Sequence, residues 1–274
     1  MWTFQKTMIF PERTPLGRAA DDFRRMLDAW PVWGLLGWQE VRIKYRRSVL
    51  GPLWLTLSMG VTIGLLGLLY ARLLHVELGH FMPFICSGFL LWGYMASILV
   101  ESCQCYILSH HLIKNERLPL SMFPVVVFWR NTLILLHHTL VFLVVILIFP
   151  VGYSHNMWLA IPGFLLMGLN LLWLALLLGM VSARFRDVPE LVRTTLSLVF
   201  FLTPVIWHPS MLGDLTAYVW LNPFTWWLDL VRAPLMGQTP AAASWLFSLI
   251  SAGAGWLLTA GVFCQFRSRI PFWI

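Results

Sequence analysis

The sequence predicts an all-α integral membrane protein, because it is too apolar and too poor in charge for a water-soluble domain. Hydrophobic residues make up 59% of the 274 residues, and charged residues only 11%. A soluble domain carries about a quarter of its residues as charged side chains. Apolar stretches of about 20 residues, each long enough to cross the hydrocarbon core as a helix, recur along the chain.

Six stretches are candidate membrane spans, at about residues 53–71, 82–106, 122–149, 157–181, 191–207 and 244–266. The third is long enough to tilt, and Pro124 falls in its first turn, where proline is tolerated. The fifth is the weakest, because Pro204 and Pro209 predict a kink and an end. The expected organisation is a cytoplasmic segment (1–29), an amphipathic helix (30–51) and a transmembrane domain (52–274).

The distribution of Lys and Arg predicts the orientation of these spans, since cytoplasmic loops are enriched in both. Sixteen of the nineteen lie on the side that carries both termini, nine of them before Leu53. Only Arg72 and Arg232 lie on the other side, and Arg130 falls inside the third span. We therefore expect both termini in the cytoplasm.

A cluster of cations precedes the first span. Arg42, Lys44, Arg46 and Arg47 fall within six residues, at the end of a Trp-rich segment. This composition is typical of an interfacial helix with apolar side chains in the membrane and cations near lipid phosphates. The cations either anchor the protein or hold a phosphate-bearing substrate, each contributing about 1 kcal/mol near an anionic surface.

The loop after the second span is short, partly apolar and partly charged, and Pro119 ends it. A short helix that presents Leu112 and Ile113 beside charges is suited to a groove on a soluble partner. The candidate contact residues are His111, Leu112, Ile113, Lys114, Asn115, Glu116 and Arg117. No metal site is predicted, because the adjacent His110 and His111 face apart on a helix.

Residues 208–243 are rich in aromatic side chains but are divided by four prolines into pieces too short to span. They predict short re-entrant helices on the outer side, and such backbone is tolerated only where it is buried in protein or lines a cavity. Candidate gate and channel residues are Trp207, Tyr218, Trp220, Phe224, Trp226 and Trp227. The alternative is an aromatic belt lying on the outer surface.

Glu101 and Arg130 are ionisable residues inside predicted spans. Counted from the cytoplasmic ends, their depths are about 8 and about 12 Å at about 1.5 Å per residue. Charged residues at such depth usually pair or mark a pathway. We expect a structural ion pair rather than a substrate contact.

Several motifs are missing from the sequence. No phosphate-binding Gly-rich loop occurs, so any ATP chemistry belongs to another chain, and no hydrolase or metalloprotease motif is present. With twelve acidic residues, five of them before the first span, the chain is poorly equipped for catalysis. A polar basic face for nucleic acid is also lacking. We expect neither enzymatic activity nor a cofactor in this chain.

The stretch from Tyr45 to Trp54 (YRRSVLGPLW) resembles the first motif of ABC-2 type permeases that export polysaccharides. This family includes the O-antigen (lipopolysaccharide), capsule and teichoic-acid exporters. Three shorter motifs follow in the family's order: Arg186–Leu191 (RDVPEL), Thr203–Val205 (TPV) and Leu221–Phe224 (LNPF). The resemblance covers about residues 30–265.

This resemblance implies a homodimer of six-span subunits in the bacterial cytoplasmic (inner) membrane, bound to two copies of an ABC ATPase that holds ATP and Mg. It makes the helix before Leu53 an interface helix, the loop around 112–117 a coupling helix and the segment 209–236 the periplasmic gate. The implied function is export of a lipid-linked polysaccharide to the periplasm, with the lipid pyrophosphate entering near the cation cluster.

Two other functions stay open. One is an ABC-2 exporter of a small lipid or drug, which shares the fold but needs no continuous channel. The other is a membrane-bound transferase acting on polyprenyl-linked sugars, which would need a cluster of carboxylates or nucleophiles.

Overall fold

A computed structural model describes residues 14–45, 53–150, 152 and 155–274, and this part of the chain is mostly helical. Its helices are α1 (Pro15–Asp28), α2 (Trp30–Tyr45), α3 (Leu53–Leu73), α4 (Leu78–Ser102), α5 (Cys105–Leu108), α6 (His110–Asn115), α7 (Met122–Ile148), α8 (Ala160–Arg184), α9 (Val188–Leu202), α10 (Thr216–Val219), α11 (Pro223–Leu235), α12 (Ala242–Phe266) and α13 (Ile270–Trp273). Short 3-10 turns occupy His155–Leu159, Pro209–Leu215 and Arg267–Arg269.

Within the described ranges, five helical segments are long and apolar enough to cross a membrane: Thr56–Leu73, Leu78–Ser102, Met122–Ile148, His155–Arg184 and Ala242–Trp273. Each corresponds to one of the predicted spans. The second begins four residues before its predicted start and ends at Ser102, and α5 continues the chain after a turn. The basic loops follow α4 and α8. We call this end of the bundle the basic end; α4, α8 and α12 finish there, and α7 starts there.

The fifth predicted span, 191–207, forms the shorter helix α9, which stops at Leu202. Its fifteen residues extend about 22 Å, less than the hydrocarbon core of about 30 Å. The cause is Pro204, which disfavours helical geometry in the preceding residue, and Thr203 is extended with ψ 136°. A sixth crossing by a single continuous helix is therefore not formed here.

After α9 the chain folds back against α4. A methyl group built on Gly88 of α4 would lie 2.8 Å from the carbonyl oxygen of Val205. Val205 is fully buried, and Arg232 of α11 donates a hydrogen bond to the Pro204 carbonyl. The turn after α9 is thus packed between α4 and α11.

Helix α11 is buried within the bundle. Asn222 caps its start by accepting a hydrogen bond from the Phe224 amide at 3.0 Å. Gly163 of α8 is so close that an added methyl group would lie 2.2 Å from the Leu230 carbonyl oxygen. Asp229 accepts a bond from the Ala241 amide at 3.2 Å and so caps α12. These contacts join α11 to both neighbours.

Helices α8 and α12 pack closely through small and polar residues. Asn170, fully buried, donates to the Ser248 carbonyl at 3.0 Å and accepts from the Ser251 hydroxyl at 2.6 Å. A methyl group on Gly255 would lie 2.1 Å from the indole ring of Trp173. Small residues that admit close approach are the usual means of helix association in membranes, where lipid and protein interiors are equally apolar.

Gly255→Ala is expected to destabilise the protein, because the added methyl group overlaps the Trp173 ring and overpacking costs about 1–3 kcal/mol. Gly253→Ala is the matched control, since nothing lies within 4 Å of the methyl group that it adds to the same helix. The measurement is thermal unfolding of the purified variants in detergent. Equal unfolding temperatures for the two variants would contradict the close packing of α8 on α12.

Candidate functional site

A cleft opens at the basic end between α2, α7 and the connection from α4 to α7. Its volume is about 360 Å³. The apolar residues around it include Leu36 of α2, Leu112 of α6 and Phe123 of α7. Its charged residues are Glu40, Glu101 and Arg130, which come from α2, α4 and α7.

Arg130 binds both carboxylates. One guanidinium nitrogen, Nη2, lies 2.7 Å from Glu101 Oε2, and the other, Nη1, bonds Glu40 Oε2. Asn131 Nδ2 adds a second bond to Glu101 at 2.6 Å. The structure therefore brings together the two residues expected to pair, Glu101 and Arg130, and adds Glu40 as a third member. We call these three residues the ion triad.

Helix α2 is seated on α7 beside the ion triad. The Trp129 indole donates to the Gly34 carbonyl at 3.2 Å, and the rings of Trp33 and Trp129 meet edge to face at 6.1 Å. A methyl group on Gly37 would lie 2.8 Å from the Trp129 ring. Residues 33, 37 and 40 lie three or four apart, so they share one face of the helix. Other apolar residues of α2, such as Trp30 and Trp38, are exposed.

Of the cation cluster expected at the end of α2, the structure describes the side chain of Arg42, which is exposed. Arg46 and Arg47 lie outside the described residues, as does the side chain of Lys44. Arg42 lies two residues after Glu40, so its side chain leaves a different face of the helix from the one that meets the cleft.

The residues expected to contact a soluble partner lie in and after α6. Leu112 lines the cleft, and Ile113 packs into the apolar core at the basic end. Lys114 donates to the Ile274 backbone oxygen at 2.9 Å, and the Arg117 carbonyl accepts a bond from Arg25 at 2.6 Å. The remaining candidates are exposed: His111, Asn115 and Glu116.

A carboxylate that sequence reasoning missed, Asp22 of α1, anchors the N-terminal helix at the basic end. Its side chain is fully buried and accepts bonds from the Leu120 and Ser121 amides at 3.1 and 2.9 Å. Arg267, after α12, pairs with it at 2.6 Å. Asp22 thus joins α1 to the start of α7 and the end of α12, beside the loop that carries Arg117.

Sequence signals for these missed residues were weak. Glu40 is the only acidic residue within a strongly basic segment, which is a hint that it faces an intramembrane cation. Asp22 is close in sequence to Asp21, Arg24 and Arg25, and such a group of charges is typical of a solvent-exposed helix face.

At the other end of the bundle, an open groove of about 890 Å³ lies between α9 and the segment before α11. It is lined by three of the aromatic residues expected at a gate, namely Trp207, Tyr218 and Phe224. Asn222 supplies a polar group, and its amide donates to the Thr203 hydroxyl at 2.8 Å. The groove is otherwise mainly apolar.

The other three expected gate aromatics lie elsewhere. The rings of Trp220 and Trp226 are in tilted contact at 4.5 Å, and Trp226 stacks on Phe247 of α12 at 5.4 Å. Trp227 is buried in the core with 2% of its surface exposed. Because successive helical residues point in different directions, Trp226 and Trp227 of α11 cannot line one surface together.

Residues 31–236 match the family model described as ABC-2 type transporter. The chain belongs to this family. Helices long enough to cross a membrane and this membership together make it a multi-pass membrane protein. ABC-2 permeases are normally transport subunits that work with a separate ABC ATPase.

Its relatives include O-antigen export system permeases named RfbA. That of Klebsiella pneumoniae is 20% identical over 186 residues, which cover 66% of this chain and 70% of the relative. That of Myxococcus xanthus is 25% identical over 185 residues, which cover 65% of this chain and 69% of the relative. The chain is therefore an ABC-2 permease related to O-antigen export permeases.

Asp22→Asn is expected to loosen α1 from the bundle. It removes the negative charge opposite Arg267. Removing one partner of a buried ion pair lowers the free energy of unfolding by about 3–5 kcal/mol. Asp28→Asn, at an exposed position on the same helix, is the control. Limited proteolysis should cleave between α1 and α2 in Asp22→Asn before it cleaves the control or wild type. Equal resistance in the two variants would contradict this anchoring role.

Proposed function

We propose that this chain is the permease subunit of an ABC exporter that moves a lipid-linked, O-antigen-like polysaccharide from the cytoplasm to the periplasm. ATP hydrolysis on a partner subunit drives the transport. The observation that carries the proposal is the family match over residues 31–236, together with relatives that are O-antigen export permeases. The basic end supplies cations suited to binding an anionic lipid head group, and the other end supplies aromatic side chains suited to sugar rings.

In this proposal the basic end faces the cytoplasm of a bacterial inner membrane, with both termini on that side. The predominance of Lys and Arg there supports this orientation. The sixth crossing is made by α9 together with the turn that follows it, and α10 and α11 are re-entrant. The burial of α11 against α8 supports a re-entrant role, because its backbone is shielded by protein.

The exporter contains two copies of this chain and two ABC ATPase subunits, which hold ATP and Mg. The ATPase covers α6, the coupling helix, where Leu112 is 39% exposed beside charged residues. Helix α2 acts as the interface helix. The lipid pyrophosphate of the substrate meets Arg42, Lys44, Arg46 and Arg47 at its end, where four cations favour an anionic head group.

Trp207, Tyr218 and Phe224 line the route out on the periplasmic side. Aromatic faces bind sugar rings by apolar contact, and the Tyr218 hydroxyl adds a hydrogen bond at the ring edge. A polymer can slide past such faces because no single contact fixes it. Trp220, Trp226 and Trp227 stabilise the wall behind these residues through their stacking and burial.

A second candidate is an ABC-2 exporter of a small lipid or drug. The composition of the groove favours it, since Phe201, Leu202 and Leu212 contribute mostly apolar surface. A groove of this kind suits an acyl chain as well as it suits a sugar ring.

The test is to express this chain with candidate ABC ATPase subunits from the same genome, purify the complex and measure ATP hydrolysis. Surface glycan is then compared in cells with and without the chain. ATP hydrolysis by a stable complex and loss of surface glycan in its absence are the expected results. A complex that hydrolyses ATP but leaves surface glycan unchanged would point to the small-lipid or drug exporter, and the absence of any complex would contradict both.

Leu112→Ser is expected to reduce export about tenfold, because truncating an apolar residue at the centre of an interface costs about 1–2 kcal/mol. Leu16→Ser, on an exposed apolar residue of α1, is the control and should export normally. Both are measured as surface glycan at equal protein level. Normal export by Leu112→Ser would contradict the assignment of α6 as the coupling helix.

A further inference from the structure

Arg130 is the point at which three helices of the basic end meet. It belongs to α7, while its partners Glu101 and Glu40 belong to α4 and α2. Its planar guanidinium carries its donors in a fixed fork, so the two nitrogens can bond two carboxylates at once. The position of each carboxylate is therefore set by the orientation of the same group.

Other contacts support both halves of this arrangement, since Trp129 of α7 donates to the Gly34 carbonyl of α2 and meets the Trp33 ring. Between α4 and α7, Asn131 also bonds Glu101, and the Tyr94 and Thr132 hydroxyls lie 3.0 Å apart. These contacts hold α4 on α7 whether or not Arg130 is bonded to Glu40. The Arg130–Glu40 bond is a charged link between α7 and α2, and it can be removed without touching the α4–α7 contacts.

The segment from Cys103 to Ser121, which contains α5 and α6, joins α4 directly to α7. Glu101 is the second-to-last residue of α4. Arg130 lies eight residues into α7, which is about 12 Å from the start of that helix at about 1.5 Å per residue. Both charged residues are therefore close, along the chain, to the segment that contains α6. A displacement of α6 would reach Glu101 through the end of α4 and Arg130 through the start of α7.

The cleft leaves room for such a displacement. Leu112 of α6, Leu36 of α2 and the ion triad all line it. The space between these side chains is about 360 Å³. Both helices contact α7, which holds α2 through the Trp129 contacts and, as the charged contact, through the Arg130–Glu40 bond.

We propose that Arg130 is the positioning residue that passes the movement of α6 to α2 through Glu40. The Arg130–Glu40 bond then serves to couple ATP hydrolysis to export, and it is needed neither for hydrolysis itself nor for assembly. This inference rests on the proposed function, because it assumes that an ATPase subunit moves α6. It adds the residues through which that movement reaches the helix at the substrate entrance.

The test is Glu40→Gln in the complex with the ATPase subunit. The amide keeps the shape of the side chain but removes the charge that holds Arg130. Glu190→Gln is the matched control, because Glu190 forms an exposed ion pair with Arg193 at 3.1 Å at the same end of the protein. For each variant, the unfolding temperature and the yield of complex are measured first, then ATP hydrolysis, then surface glycan.

We expect Glu40→Gln to assemble and hydrolyse ATP at the wild-type rate while glycan exported per ATP falls about fivefold or more, in the range of typical coupling energies. Glu40→Asp keeps the charge on a shorter side chain and should retain more export than Glu40→Gln. Glu190→Gln should match wild type in every measurement.

Unchanged export per ATP in Glu40→Gln would overturn the inference. A parallel fall in unfolding temperature, hydrolysis and export would also overturn it, because the bond would then only stabilise the fold. If the wild-type complex neither hydrolyses ATP nor exports glycan, the proposed function fails instead, and the two failures are thus distinguished before any variant is compared.

Discussion

The basic end of this protein is organised around the charge of Arg130. A cation within an apolar helix requires opposite charge nearby, and ionisable residues at membrane depth are expensive unless they pair. Glu101 and Glu40 supply that charge from two other helices, so compensating one side chain fixes the relative positions of α2, α4 and α7. These three charges line the cleft, and the contacts of Trp129 with Gly34 and Trp33 seat α2 beside them.

Asp22 is a second charged side chain that joins several segments at the basic end. It satisfies backbone amides at the start of α7 and neutralises Arg267 after α12, so it holds α1 against the loop beside α6. Leu112 of α6 thus lines the same cleft as the ion triad, and the buried Asp22 holds the residues that follow α6.

The other end depends on steric fit rather than on charge compensation alone. Gly163 and Gly88 allow backbone groups to approach at distances that any larger residue would prevent. These contacts keep α11 and the turn after α9 inside the protein, where the backbone interrupted by Pro204 is shielded from lipid. The open groove with Trp207, Tyr218 and Phe224 is what remains on the outer side of that packing.

Much of this architecture could be predicted from the sequence, because long apolar stretches and the counting of helical depth are strong signals. In the part of the chain that the structure describes, five helices long enough to span lie at predicted spans, and the depths of Glu101 and Arg130 correctly indicated that they would meet. The fifth span was predicted to end at residue 207, five residues after the observed end of α9 at Leu202. The apolar stretch continues past Pro204, but the helix stops before it because proline disfavours helical geometry in the preceding residue. Glu40, Asp22 and the inward turn of Trp227 depend on tertiary contacts between distant segments, and single-sequence patterns carry little information about such contacts.

The most direct test of this account is a pair of structures of the complex with its ATPase subunit, one free of nucleotide and one with a non-hydrolysable ATP analogue. The account predicts that α6 and α2 shift together and that Arg130 stays bonded to Glu40 and Glu101 in both states. A shift of α6 with α2 stationary and the Arg130–Glu40 bond broken would contradict it.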